Sequence, residues 1–372
     1  MFCINGFALG SWLPRLPEIR DALDVSDRAL GLTLVGSSVG GLVMSLLSGR
    51  IVDKAGSRRA TLSTSLGLAI LLPLIARAPS PVVLFTVLIA VGALDGVTDV
   101  AQNAQAIELQ ERTSRSIMSR MHATWSIGTL LGGLVASRSA AFGLSFDVQL
   151  TVTAVALVGV ALAAGPRLLD ARVRMAPHDG GSQASHLARP LLVTLFVMGA
   201  LATLAEMPPT EWASLLMAER FDQTVGAAGL GFVAFAAGMV AGRLGGDRVV
   251  DRVGSEATRR GGGFIGGAGL VVVALSPSPE VAWLGFLVAG AGMSALFPMA
   301  IVRIGQLTGN GSSVAVAAFS SGARAGMLIG SPLTGALSQA TTRTTALLVI
   351  ATSAAWVSAL VRLPVAAWQP DG

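Results

Sequence analysis

Gly49-Arg50-Ile51-Val52-Asp53-Lys54-Ala55-Gly56-Ser57-Arg58-Arg59 is a short basic turn between two long uncharged runs, and it has an echo. Residues Asp247 to Ser255, reading D-R-V-V-D-R-V-G-S, repeat Arg50 to Ser57 almost residue for residue. Arg50, Asp53, Lys54, Gly56 and Ser57 thus correspond to Arg248, Asp251, Arg252, Gly254 and Ser255, at a constant offset of 198 in a chain of 372 residues. Such a repeat implies two related halves and governs the fold assignment.

The runs around the two turns are membrane material. Hydrophobic residues make up 52% of the chain, charged residues 13%, and the mean hydropathy is +0.69, whereas a soluble domain carries about 25% charged residues. A bilayer crossing needs roughly 20 apolar residues, and uncharged runs near that length recur from end to end. The net charge of +5 comes from arginines that punctuate these runs. They do not cluster into the basic face a nucleic acid would need. A single cysteine, Cys3, excludes an intrachain disulfide and a cysteine-based zinc site. No basic n-region marks a cleavable signal. About 13 residues precede Pro14, short of a full crossing, which points to a truncated first helix or a start further upstream.

Charges and Gly/Pro clusters delimit twelve expected helices: 1–18, 28–48, 60–77, 80–107, 117–137, 145–165, 190–217, 224–246, 261–277, 280–303, 312–338 and 342–362. The expected architecture is therefore all-α and integral to the membrane, with a six-helix bundle at 1–165, a polar linker at 166–189 and a second bundle at 190–372. Basic residues stay on the cytoplasmic side of a membrane. Alternate loops hold 18 and 7 of them, with the turn at Gly49 to Arg59 and Arg243 counted in the richer set and Arg15 in the poorer. This places both termini and the linker in the cytoplasm, as a multi-pass protein of the plasma or inner membrane. Glycines four apart, as at Gly36 and Gly40, Gly128 and Gly132, Gly238 and Gly242, and Gly322, Gly326 and Gly330, point to tight helix packing.

Polar residues inside the runs are the functional candidates, because ionisable groups are costly in a membrane. Asp95, Asp99 and Asn103 lie i, i+4, i+8 along one face of the fourth helix, with Gln102 and Gln105 beside them. The bland alternative is an acid near the membrane surface. The seventh helix carries Glu206-Met207-Pro208-Pro209-Thr210-Glu211-Trp212, where two prolines are expected to break the hydrogen-bond ladder as they would beside a cavity. Glu206 is the deeper of the two acids. Arg324, near the middle of the eleventh helix, fits a counter-ion, a receptor for an anionic substrate, or a buried structural salt bridge. Trp212, Phe297 and Trp125 are candidate aromatic faces for a sugar-sized cavity, although aromatics equally mark membrane interfaces. His122 reads as an interfacial histidine.

The pattern G-x-x-x-D-[RK]-x-G-x-R between the second and third helices, with its echo, resembles the signature loop of the major facilitator superfamily. That resemblance covers essentially the whole chain. It implies a latch between conformations, carried by Gly49, Asp53, Lys54, Gly56 and Arg58 and, in the second copy, by Asp251, Arg252 and Gly254. The second copy departs from the pattern at Asp247 and Glu256. The N-terminal G-S-W-x-P-R-L-P-x-I-R-D, the D-V-x-Q-N-A-Q of helix four, the run from His122 to Ser126 and the run from Glu206 to Trp212 resemble the fucose-permease-like branch. This second resemblance implies proton-coupled movement of small sugars, with Asp95, Asp99 or Glu206 coupling the proton. Drug-efflux hallmarks, an intramembrane arginine in helix four and a Gly-Pro pair in helix five, are absent.

The leading expectation is a secondary transporter of a small polar solute working by alternating access, probed against efflux of a hydrophobic compound and against a membrane sensor without transport. An enzyme would need a clustered nucleophile, metal site or cofactor loop, and three scattered histidines and one cysteine supply none. Gly261 to Gly266 matches G-x-G-x-x-G but opens an apolar helix with no preceding strand. The expected partners are a small-molecule substrate, protons and lipid, with no nucleic acid and no cofactor, for a chain acting as a monomer.

Overall fold

The computed structural model describes residues 1–113, 118–169, 189–308 and 313–361, and among them there is no strand. The linker expected at 166–189 and the basic residues Arg115, Arg172, Arg174 and Arg362 fall wholly or mostly outside the described residues. The helices are α1 (Phe2–Gly10), α2 (Leu16–Leu23), α3 (Asp27–Ala55), α4 (Ser57–Ala76), α5 (Pro81–Thr113), α6 (Met118–Ala141), α7 (Phe146–Ala164), α8 (Arg189–Phe221), α9 (Val225–Val253), α10 (Ser255–Leu275), α11 (Pro279–Met293), α12 (Leu296–Thr308), α13 (Ser313–Ala340), α14 (Arg343–Leu347) and α15 (Ser353–Leu360). Nine helical runs among the described residues are long and apolar enough to cross a membrane. Their outer faces suit lipid: Leu46 and Leu275 are each 76% exposed, which water would penalise and acyl chains do not.

The repeated turn is real in the backbone. Gly56 ends α3 with φ +81° and Gly254 ends α9 with φ +83°, each linking two helices without an intervening residue. An L side chain is strained there, so Gly56→Ala and Gly254→Ala should each destabilise the protein by about 1–3 kcal/mol. Gly246→Ala, at a helical site with open space around it, should be neutral or slightly stabilising. Thermal unfolding of the purified variants checks this, and equal melting of all three would show that the left-handed turn is dispensable.

Packing repeats with the same offset. A Cβ on Gly40 of α3 would overlap the Ile89 carbonyl of α5, and one on Gly238 of α9 would overlap the Leu287 carbonyl of α11. Gly92 against Ser37 and Gly290 against Phe235 form a second matched pair. All four residue pairs are 198 positions apart, like the turns. The close approaches the glycine spacing called for are thus made, because only a missing side chain lets these backbones touch. Gly128 likewise abuts Cys3 of α1, and Gly326 abuts Ala200 of α8.

Apolar packing divides similarly. One buried cluster draws only on residues from Leu191 onward, and another is built mainly from Ile4 to Ala161. Residues 1–169 and 189–361, here the first and second parts, meet along α3 with α13 and α6 with α9. On the first seam Gly335 abuts Asp27, Gly31 abuts Ser331, and Ser38 Oγ donates to the Met327 carbonyl at 3.3 Å. On the second, Gly226 abuts Ala141, Gly229 abuts Ser137, and Arg243 donates to Ser126. Among the described residues, the hydrogen bonds and ion pairs between the parts run from Asp27 and Leu13 as far as Arg243 and Ser126.

Three local expectations need correction. The first helix is broken at Ser11 to Arg15, because Pro14 and Pro17 cannot donate to an α-helical ladder. Arg15, expected in a loop, is 2% exposed and bonded to Glu18, Gln149 and the Leu144 carbonyl. Conversely, α8 runs unbroken through Pro208 and Pro209, both buried by neighbouring helices that hold its course.

Candidate functional site

At mid-depth the two parts face each other through polar side chains. Asp95 and Asp99 project from α5, a run too apolar to expose them to lipid. Both are solvent-exposed, which places them on the aqueous space between the parts. Asn5 of α1 donates Nδ2 to Asp95 Oδ1 at 2.9 Å, and Asn103 donates to Asp99 Oδ1 at 2.9 Å. The expected carboxylate face is therefore assembled, with Asn5 as a partner that spacing along α5 could not reveal. Gln102 is buried beside it with its Nε2 unpartnered among the described residues, and Asn103 Oδ1 is also unpartnered. Gln105 turns away and donates to Thr61 of α4 at 3.0 Å.

His122 of α6 continues the chain of polar groups. It interacts electrostatically with Asp99 on one side and with Arg243 on the other, and its ring meets Phe2 edge-on at 5.5 Å. Arg243 of α9 is the hub. Its guanidinium donates to Ser126, lies 5.9 Å from the Trp125 ring, and sits 3.7 Å from Glu206 Oε1 on α8. Sequence reasoning assigned Arg243 to a cytoplasmic loop, yet α9 extends ten residues past it, to Val253. A signal existed: it lies within the apolar run expected as helix eight.

The other candidates are placed as follows. Trp212 is completely buried in the apolar cluster with Phe232 and Leu215, so its ring offers no face to a sugar in this conformation. Phe297, 39% exposed, packs edge-on to Phe319 with centroids 5.0 Å apart. Glu211, the acid given less weight, is buried and accepts from Ser331 of α13. Arg324 is exposed and makes no ion pair or hydrogen bond with any described residue. The turn residues Asp53, Lys54, Arg58, Asp251 and Arg252 are all exposed and form no ion pair among the described residues. The groups of a metal site are not gathered anywhere among the described residues.

A second polar knot closes the opposite end of the space. Asp27 of α3 accepts from Arg343 Nη2 at 2.5 Å and from Ser338, and Arg343 also pairs with Glu219. Ser214 Oγ donates to the Leu13 carbonyl at 3.3 Å across the parts.

A family model described as Major Facilitator Superfamily matches residues 1–210. Membrane protein MosC of Rhizobium meliloti is 30% identical over 343 residues, spanning 91% of this chain and 82% of that protein. Among solved structures, the nucleoside transporter NupG superposes with a TM-score of 0.77 at 16% identity, covering 96% of both chains. The E.coli fucose:proton symporter FucP gives 0.63 at 16% identity over 96% of this chain and 95% of that one.

Proposed function

The chain belongs to the Major Facilitator Superfamily, and we propose that it moves a small polar solute of monosaccharide size by alternating access, driven by protons. Its twelve spans form a six-helix bundle at 1–165 and another at 190–372, joined by a cytoplasmic linker. The richer basic loops lie in the cytoplasm, so the conformation described is inward-facing. Gly49, Asp53, Lys54, Gly56 and Arg58, with Asp251, Arg252 and Gly254, form latches that engage when the cytoplasmic end closes. Their exposure in the open state supports that role. The similarity to a nucleoside transporter and to a fucose:proton symporter suits a cargo of this size.

The observation that carries the reading is the polar path Asn5, Asp95, Asp99, His122, Arg243 and Glu206, drawn from five helices and both parts. Carboxylates on an aqueous space can take up a proton on one side and release it on the other. Arg243 pairs with Glu206 in its own bundle and donates to Ser126 of the other, which ties that event to the relative position of the bundles. Proteoliposomes containing a pH-sensitive dye, offered a panel of monosaccharides, sugar acids and nucleosides, provide the test. At least one solute should acidify the lumen with the wild type, and Asp99→Asn and Glu206→Gln should each abolish that proton flux while melting like the parent. Unchanged coupling in both variants would remove these assignments.

A further inference from the structure

Arg324 is a cation that the fold does not neutralise. Several other arginines within the helices are engaged: Arg15 with Glu18, Arg243 with Glu206, Arg259 with Glu256, Arg343 with Asp27, and Arg220 with the carbonyls of Val273 and Ser276. Arg324, the twelfth of 28 residues in α13, has no such partner among the described residues. A guanidinium held at that depth needs an anion or water.

Its direction follows from the helix. Residues 324, 327, 331 and 335 fall on one stripe of α13. The upper three meet α3, at Ser38, Gly31 and Asp27 respectively. Arg324 extends the stripe by one turn beyond the last of these contacts and is itself exposed, which puts it at the edge of the seam between the parts. The stretch of α3 that would come opposite it on closure, Val39 to Gly49, contains no carboxylate. Closure of the cytoplasmic end along this seam would take the guanidinium out of water against a surface that cannot pair with it.

We propose that Arg324 receives an oxyanion on the transported solute, a carboxylate or phosphate of a monosaccharide-sized molecule, and that this anion is the counter-charge the seam lacks. The inference rests on the transport reading above and names its substrate class. A guanidinium binds either oxyanion through two parallel N–H donors. Asp95 and Asp99, on the opposite wall, orient the solute the same way round by repelling its anionic end and accepting from its hydroxyls.

Thermal unfolding of the purified full chain with D-glucuronate, D-glucose 6-phosphate and D-glucose separates the possibilities. One of the two anions should stabilise the wild type and glucose should not, and which anion acts distinguishes carboxylate from phosphate. Arg324→Gln should weaken that anion by at least about tenfold, with Arg324→Lys between the two. Equal stabilisation by glucose, no effect of either anion, or anion binding undiminished in Arg324→Gln would each overturn the assignment. Failure of the transport reading has a separate signature. Ser214→Cys, in a Cys3→Ser background, would then stay unreactive to maleimide under every condition.

Discussion

Replacing Arg343 with glutamine is expected to unseat the closed end and shift the protein toward a conformation open at that end. In the described state the Arg343 and Asp27 side chains are 7% and 12% exposed, and Ser338 adds a second donor to the same carboxylate. Removing one member of a buried pair strands the other, at a cost of about 3 kcal/mol. Glu219 contributes little to that figure, since its side chain is 57% exposed. If opening of that end solvates Asp27, the lost stabilisation belongs to the closed end alone, and the ratio of conformations moves by roughly a hundredfold. Ser214, 1% exposed and bonded across the parts to Leu13, is a sensitive reporter. In detergent, Ser214→Cys should react slowly with maleimide in the parent and rapidly once Arg343→Gln is added. A globally loosened protein would also react, so the melting temperature must be followed. Fast labelling at near-parental stability indicates gating, and slow labelling in the double variant would mean that the knot does not hold the seam.

What the sequence revealed depends on the range of the interaction responsible. Gly56 and Gly254 were legible because a turn between abutting helices is decided within a few residues, and because the duplication printed it twice. The glycine stripes were legible too, since a Cβ has only one kind of consequence where carbonyls approach that closely. The carboxylate face of α5 followed from helical periodicity. Arg243 was misread for a physical reason: an arginine near a helix end satisfies the charge-bias rule equally well whether it faces the cytoplasm or folds inward to meet Ser126, Trp125 and Glu206. Those partners sit 117, 118 and 37 residues away, and no local pattern announces them. The unbroken course of α8 through Pro208 and Pro209 has the same origin, because packing from both sides compensates a local defect that sequence alone sees as a break.

The largest functional loss should come from Arg243 itself. Arg243→Gln keeps a donor for Ser126 but removes the charge that faces Glu206 and the cation over the Trp125 ring. The pair is 3.7 Å apart with side chains 24% and 32% exposed, so its loss should cost about 1 kcal/mol of stability, whereas proton-driven uptake should fall by at least about tenfold. Arg243→Lys should recover little, because a compact ammonium cannot serve Ser126, Glu206 and an aromatic face together. The decisive variant is the double Arg243→Gln, Glu206→Gln. With both charges gone, the electrostatic penalty disappears and thermal stability should return toward that of the parent, whereas coupled uptake should stay lost. Recovery of uptake along with stability would make the pair a structural brace. Recovery of stability alone separates holding the bundles together from linking their positions to a proton, and Arg243, bonded to α6 and facing the acid on α8, is placed to do both.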